Sequence, residues 1–154
     1  MQHSAGLLLY RIGDDGVEVL LGHMGGPLWA RKDAGAWTVP KGEHGPDEDP
    51  HAAAVREFTE EMGQPPPEGP DLPLGSVRQR GGKTVTVWAR AGNLDVATVV
   101  SNTFTMEWPP RSGRRQSFPE LDRARWLPVA RARELVVTAQ AELLDRLAAA
   151  LGTP

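Results

Sequence analysis

The sequence predicts a mixed α/β (α+β) fold. Three observations carry this. Apolar runs of strand length recur between turn signals, one central segment switches to the helical period, and the C-terminus ends in a leucine stripe at helical spacing. The chain has 154 residues, the size of one domain, and residues 1–154 are expected to form a single one.

Residues 4–11 are a compact apolar run that reads as a buried strand, and residues 17–23 are a second. Gly13-Asp14-Asp15-Gly16 between them is a turn, and Gly25-Gly26-Pro27 breaks the chain again. Residues 37–39 are a short strand that Pro40 should end. Residues 41–49 read as a polar loop. The period then changes. Asp49 is placed to cap a helix, and Pro50 suits its first position. Ala52, Ala53 and Ala54 favour the helix, and Val55, Phe58 and Met62 fall on one stripe. Gly63 stops it.

Residues 64–73 hold five prolines and read as an irregular linker. Residues 74–80 and 84–89 are two strands joined by a Gly81-Gly82-Lys83 turn. Residues 103–108 are another strand, 109–119 a basic, proline-containing loop, and 124–127 a last strand. Residues 131–136 and 138–151 are helical, the second with Leu143, Leu144, Leu147 and Leu151 on one face.

Composition removes several function classes. The chain has no cysteine, so disulfides, thiolate metal sites and a cysteine nucleophile are excluded. That suits a reducing compartment, and the expected location is cytoplasmic. The N-terminal apolar run is too short for a signal peptide, and no stretch reaches the ~18–20 apolar residues that span a bilayer. No membrane partner is expected. A net charge of −3 gives no footprint for nucleic acid. The five tryptophans are read as core residues unless a site claims one.

The chemistry lies on the central helix. Opposite its apolar stripe stand Glu57, Glu60 and Glu61, within about a third of the circumference. Such neighbours repel by a few tenths of a kcal/mol (roughly) per exposed pair, and a divalent cation reverses that sign. Mg²⁺ takes oxygen ligands and shares them with substrate phosphates. Arg56 reaches Glu60 at i,i+4 and helps to hold it. The competing reading is a solvated acidic face. The surroundings weigh against it: from Gly42, five residues lead to Glu48, and seven more to Arg56-Glu57-Phe58-Thr59-Glu60-Glu61-Met62-Gly63-Gln64.

This run resembles the Nudix box, Gly-x5-Glu-x7-Arg-Glu-U-x-Glu-Glu-x-Gly-U, with U a bulky apolar residue. Every fixed position matches, Phe58 fills the first U, and Gln64 departs at the last. The resemblance implies a Nudix-type α/β/α sandwich with a mixed sheet, and a box over residues 42–64. It implies a Mg²⁺-dependent (or Mn²⁺-dependent) pyrophosphohydrolase that cleaves the phosphoanhydride of a nucleoside diphosphate linked to another moiety, of the nucleotide or dinucleoside polyphosphate class. Carried over by position, Glu57 and Glu61 ligate the metal, Glu60 stands beside it or binds through water, and the Gly42 carbonyl is a further ligand. Arg56 orients the glutamates, Glu48 braces the loop, and Glu57 is the first candidate for general base.

Outside the box, Pro40-Lys41-Gly42 resembles the lead-in of Nudix members acting on dinucleoside polyphosphates and diphosphoinositol polyphosphates, which makes Lys41 a phosphate-binding candidate. Gly82-Lys83-Thr84 is not a P-loop, because Val77 stands where that pattern needs glycine. In residues 102–115, Glu107 is a candidate metal ligand or base, Trp108 a stacking residue, and Arg111, Arg114 or Arg115 phosphate contacts. The plain alternative is a strand end and a charged surface loop. Ser4-Ala5-Gly6-Leu7-Leu8-Leu9-Tyr10, residues 75–84 and Glu107-Trp108-Pro109-Pro110-Arg111-Ser112-Gly113 also resemble predicted bacterial Nudix-type NTP pyrophosphohydrolases. The expected partner is a small nucleotide-type substrate, and the chain a monomer or homodimer. The rival class is a non-catalytic Nudix-fold nucleotide or metabolite sensor, and a cysteine-dependent isomerase on the same fold is set aside by composition.

Overall fold

In the computed structural model, which describes residues 2–152, two long strands begin the chain. β1 (His3–Gly13) and β2 (Gly16–Met24) pair antiparallel around the expected turn, Tyr10 opposite Val19 and Gly13 opposite Gly16. β3 (Trp37–Thr38) pairs with β2, and the chain leaves the strand before Pro40, as its missing N–H requires. The expected domain's terminal residues 1, 153 and 154 lie outside the described residues.

Residues 41–49 are not all loop. Lys41–Glu43 forms β4, antiparallel to β1, with Gly42 opposite Ala5. Its sequence has no apolar alternation, because what it gains is backbone pairing with β1 rather than side-chain burial. Then comes α1 (Pro50–Met62). The Asp49 side chain accepts from the Ala52 N–H, and Gly63 takes the left-handed φ of 74° that ends the helix. Gly63 is doubly required, since an added Cβ would run into the Val100 carbonyl.

β5 (Asp71–Arg78) starts inside the stretch read as a linker. It is the sheet's edge strand, where Pro73 is tolerated, and the register shifts between Pro73 and Gly75. β6 (Thr84–Ala91) returns antiparallel to β5 and runs parallel to β1, Ala5 beside Thr86. Their turn spans residues 79–83, longer than the expected Gly81-Gly82-Lys83.

β7 (Thr103–Glu107) meets a strand that the sequence reading missed, β8 (Arg115–Pro119), in a separate two-stranded ribbon. Residues 109–119 read as loop because β8 exposes its polar residues and lacks an apolar face. β9 (Leu121–Pro128) lies on β2, longer than the expected 124–127. α2 (Val129–Leu135), a 3₁₀ turn (Thr138–Gln140) and α3 (Ala141–Ala150) finish the chain.

The main sheet runs β3-β2-β1-β6-β5, with β4 on β1 and β9 on β2. Only β1–β6 is parallel, so the sheet is mixed. Alternation along the strands feeds two cores. Leu8, Val19, Leu21, Val85 and Val87 pack under Leu135, Leu143, Leu144 and Leu147 of the last two helices. Ala5, Leu7, Leu9 and Leu20 face the other way, onto Ala53, Ala54, Phe58 and Met62 of α1. Phe58 and Met62 are fully buried, each worth about 1.5–3 kcal/mol of apolar transfer. This is the three-layer sandwich expected, and its α1 core presses the glutamate face of that helix against β4.

Candidate active site

Arg56 organises the glutamates. Its Nε and Nη2 reach both oxygens of Glu48 at 2.7 and 3.0 Å. Its Nη1 donates to Glu57 Oε2 at 3.2 Å and to Glu60 Oε1 at 3.2 Å, and its Nη2 approaches the Glu43 carbonyl at 3.4 Å. The planar fork suits this multiple grip. It fastens the loop before α1 to the helix and fixes Glu57 and Glu60. The Glu48 pairing comes first among the causes that raise the pKa of Arg56 above its ordinary value, and the same bonds hold Glu48 below the usual carboxylate range.

Glu57 and Glu61 turn inward, 9% and 7% exposed. They line a hollow of about 390 Å³ together with Ser4, Lys41, Gly42, Glu43, Lys83, Asn102 and Glu120. Burial, then its neighbour Glu57 and then Glu120, push Glu61 up to about 8, against the opposing pull of Lys41. Glu57 is raised by burial and by Glu60. Burial lowers Lys41 against the pull of Glu61 and Glu57. Two carboxylates raised by burial and by neighbouring glutamates are a strained arrangement that a bound cation would relieve.

The hollow's fit to a divalent cation rests on its donors and on Gly42. A Cβ added at Gly42 would fall inside the Glu57 carboxylate, so only glycine lets the main chain of β4 and that carboxylate lie together. The donors are all hard oxygens, which suits Mg²⁺. Among the described residues, no three histidine, aspartate or glutamate side chains form a ready metal cluster. A divalent cation bound here would draw on Glu57, Glu61 and the Gly42 carbonyl, with the rest of its shell from water and substrate, as is usual for Mg²⁺.

The candidates separate in space. Lys41, Gly42, Glu57 and Glu61 share the hollow. Glu60 does not line it; its side chain is 41% exposed and held by Arg56. Glu107, Trp108 and Arg111 are not brought there either. The Glu107 carboxylate accepts from the main-chain N–H of Arg111 at 3.0 Å and of Gly113 at 3.2 Å, closing the tip of the β7–β8 ribbon. Its spacing from those turn residues serves the turn. Gln64, at the departing box position, donates to the Thr98 hydroxyl at 2.8 Å and ties the helix end down by a hydrogen bond.

Glu120, Asn102, Glu43 and Lys83 were missed. Asn102 precedes β7 and Glu120 follows β8, so both lie at the open end of the ribbon, joined by the Glu120 N–H to Asn102 carbonyl bond of 2.9 Å. Glu120 follows Pro119 at the joint between β8 and β9, and no motif marks it. Lys83 was read as a turn residue; it pairs with Glu43 Oε1 at 3.5 Å on the hollow's rim.

The chain matches the NUDIX domain model over residues 2–147. No curated protein sequence matches it. Similar solved structures include a C. elegans Ap4A hydrolase in a binary complex, 24% identical over 99% of this chain and 98% of that one, with a TM-score of 0.63. The NUDIX domain of Shewanella oneidensis NrtR complexed with ADP ribose is 15% identical over 97% and 87%, with a TM-score of 0.63. RenU, a Nudix hydrolase from M. Smegmatis, is 24% identical over 97% and 85%, with a TM-score of 0.60. These likenesses give the fold; the domain match covers nearly the whole chain, and with it the chain belongs to the NUDIX family.

Proposed function

We propose that the chain is a Mg²⁺-dependent pyrophosphohydrolase acting on a nucleoside diphosphate linked to another moiety, at the hollow shared by Gly42, Glu57 and Glu61. The observation that carries this is the joint placement of two buried carboxylates with raised pKa, a glycine main chain in contact with one of them, and two lysines on the same hollow. A bound cation supplies neutralisation of phosphoanhydride oxygens and lowers the pKa of a coordinated water.

The chain's own residues do the rest. Lys41 and Lys83 bind phosphate oxygens, and Ser4 and Asn102 offer neutral hydrogen bonds on the same wall. Glu57 and Glu61 are the cation's side-chain ligands, and Arg56 keeps Glu57 aimed. Glu120 is the candidate base from outside the box, the place the sequence reading gave to Glu107. The water oxygen attacks phosphorus, its proton passes to the Glu120 carboxylate, and the bridging P–O bond breaks with its electron pair going to the departing phosphate. Similarity to an Ap4A hydrolase and to a NUDIX domain complexed with ADP ribose is in keeping with a nucleotide-type substrate.

The test is a hydrolysis screen with Mg²⁺ over nucleoside triphosphates, dinucleoside polyphosphates, nucleotide sugars and inositol pyrophosphates in ¹⁸O water, products read by mass. Cleavage of one class, lost in Glu57→Gln and Glu61→Gln, is the expected result. Near-wild-type turnover in both variants overturns the assignment.

A further inference from the structure

A second hollow, of about 550 Å³, lies on the other side of the residue 79–83 turn, lined by Trp29, Gly35, Arg80, Val137, Thr138 and Ala139. Its size and mixed lining suit a small-molecule group. Among the described residues, the Trp29 indole N–H, the Arg80 guanidinium and the Thr138 hydroxyl have no hydrogen-bond or ion-pair partner. Lys32 adds charge beside the indole, its ammonium 5.2 Å from the Trp29 ring centre.

The indole is held in place. The loop that carries it is pinned by fully buried His23, whose Nδ1 lies 2.8 Å from Asp122 Oδ1 and whose Nε2 lies 2.6 Å from the Lys32 carbonyl. Within the loop, the Lys32 N–H donates to the Trp29 carbonyl at 2.9 Å, and the Gly35 N–H to the Leu135 carbonyl at 2.9 Å. Trp29 packs partly buried on the core. Such a prearranged aromatic surface binds a planar ring at little entropic cost.

One turn borders both hollows. The same turn gives Arg80 to one and Lys83 to the other. They are three steps apart along the chain, so their Cα atoms are at most about 11 Å apart at 3.8 Å per step. Two main-chain bonds draw the turn tighter, Gln79 N–H to Lys83 carbonyl at 2.7 Å and Gly82 N–H to Gln79 carbonyl at 3.1 Å. Fully buried Gln140 anchors it. Its Nε2 donates to Gln79 Oε1 at 2.8 Å, and its Oε1 accepts from the Val39 N–H at 2.9 Å, two residues before Lys41.

We propose that the Trp29–Arg80 hollow holds the nucleobase of the substrate, with Trp29 stacked on the ring, while the residue 79–83 turn spans the sugar and first phosphate toward Lys83 and the carboxylates. This rests on the pyrophosphohydrolase reading above and names its specificity-determining residues. Charge supports the occupant: Arg80 lines this hollow and Lys83 and Lys41 the first, which suits a molecule with a flat ring and an anionic tail.

The test uses the full chain with Trp29→Leu and the exposed Arg80→Ala. Binding of 1,N⁶-ethenoADP is followed by fluorescence anisotropy, and hydrolysis of the best nucleotide is compared with that of inorganic tripolyphosphate. Each variant is expected to weaken ethenoADP binding and raise nucleotide KM by about tenfold, the scale of one base–aromatic contact. The ratio of nucleotide to tripolyphosphate kcat/KM falls with it. If folded Arg80→Ala binds ethenoADP within threefold of wild type, the proposal is overturned, whether or not Trp29→Leu folds. If the wild type cleaves nothing yet loses ethenoADP in these variants, the hydrolase reading fails and the subsite stands. A wild type that neither binds nor cleaves overturns both.

Discussion

Gly42 and Glu57 occupy adjoining space so closely that a single methyl group at residue 42 would fall inside the carboxylate. β4 therefore reaches the helix only as bare backbone. Gly42→Ala is expected to push Glu57 aside by about an ångström and cut turnover by about 100-fold. The crowding should also cost roughly 2 kcal/mol of stability. Paired kinetics and thermal melts check this; an active alanine variant would remove Gly42 from the site.

Glu61 sets a pH dependence that can be signed. Its folded pKa, about 8, lies above the ordinary 4.5. The folded chain therefore holds a proton that the unfolded chain has released. Without a cation, this group's contribution is fully present below the ordinary carboxylate pKa and is lost as pH rises through 4.5 to about 8. Mg²⁺ competes with that proton, so its stabilising effect in thermal melts should grow over the same window. Glu61→Gln should flatten both trends.

Arg56 answers three glutamates with one planar group. Arg56→Lys keeps the charge and loses the fork. Turnover should fall at least about tenfold, with a rise in the Mg²⁺ concentration needed for half activity. A lysine variant with wild-type metal response would show that charge alone suffices.

Asp71, away from the hollow, has a pH dependence of the opposite sign. Arg90 grips it at 2.5 and 2.8 Å, and His51 at the start of α1 also pairs with it. These partners, Arg90 first, hold its pKa below 3.8. The stability from this depressed carboxylate is present above 3.8 and is lost as pH falls through its lower folded value. Asp71→Asn should cost about 2 kcal/mol near neutrality and weaken the acid-side slope of the melting curve. An unchanged slope would assign acid unfolding to other carboxylates.

Much of this fold was legible because burial writes a period into the sequence. Leu7 to Leu9, Val19 to Leu21, and Phe58 with Met62 face cores, and their elements were located within a few residues. β4 and β8 were not, because each is held mainly by main-chain pairing, which leaves no side-chain pattern. The box glutamates and Arg56 were legible from fixed spacing on one helix. Glu120, Lys83, Trp29 and Arg80 were not, since each reaches its place through long-range pairing. Glu107 misled for a related reason: an acid four and six residues before two turn N–H groups reads the same whether it closes its own turn or serves a distant site.

The parallel pairing of β1 with β6 has a kinetic consequence. His3 lies beside Thr84 and Tyr10 beside Ala91, and everything between them, including β4, α1 and Lys83, belongs to one loop closed by that pairing. Closing so long a loop is paid in entropy before any of its contacts repay it. Strand docking therefore delivers the glutamate helix and the lysine turn in one event. Assembly of the hollow is as cooperative as assembly of the sheet, and a nascent chain that ends short of residue 84 holds the whole box sequence without the partner strand that completes its site.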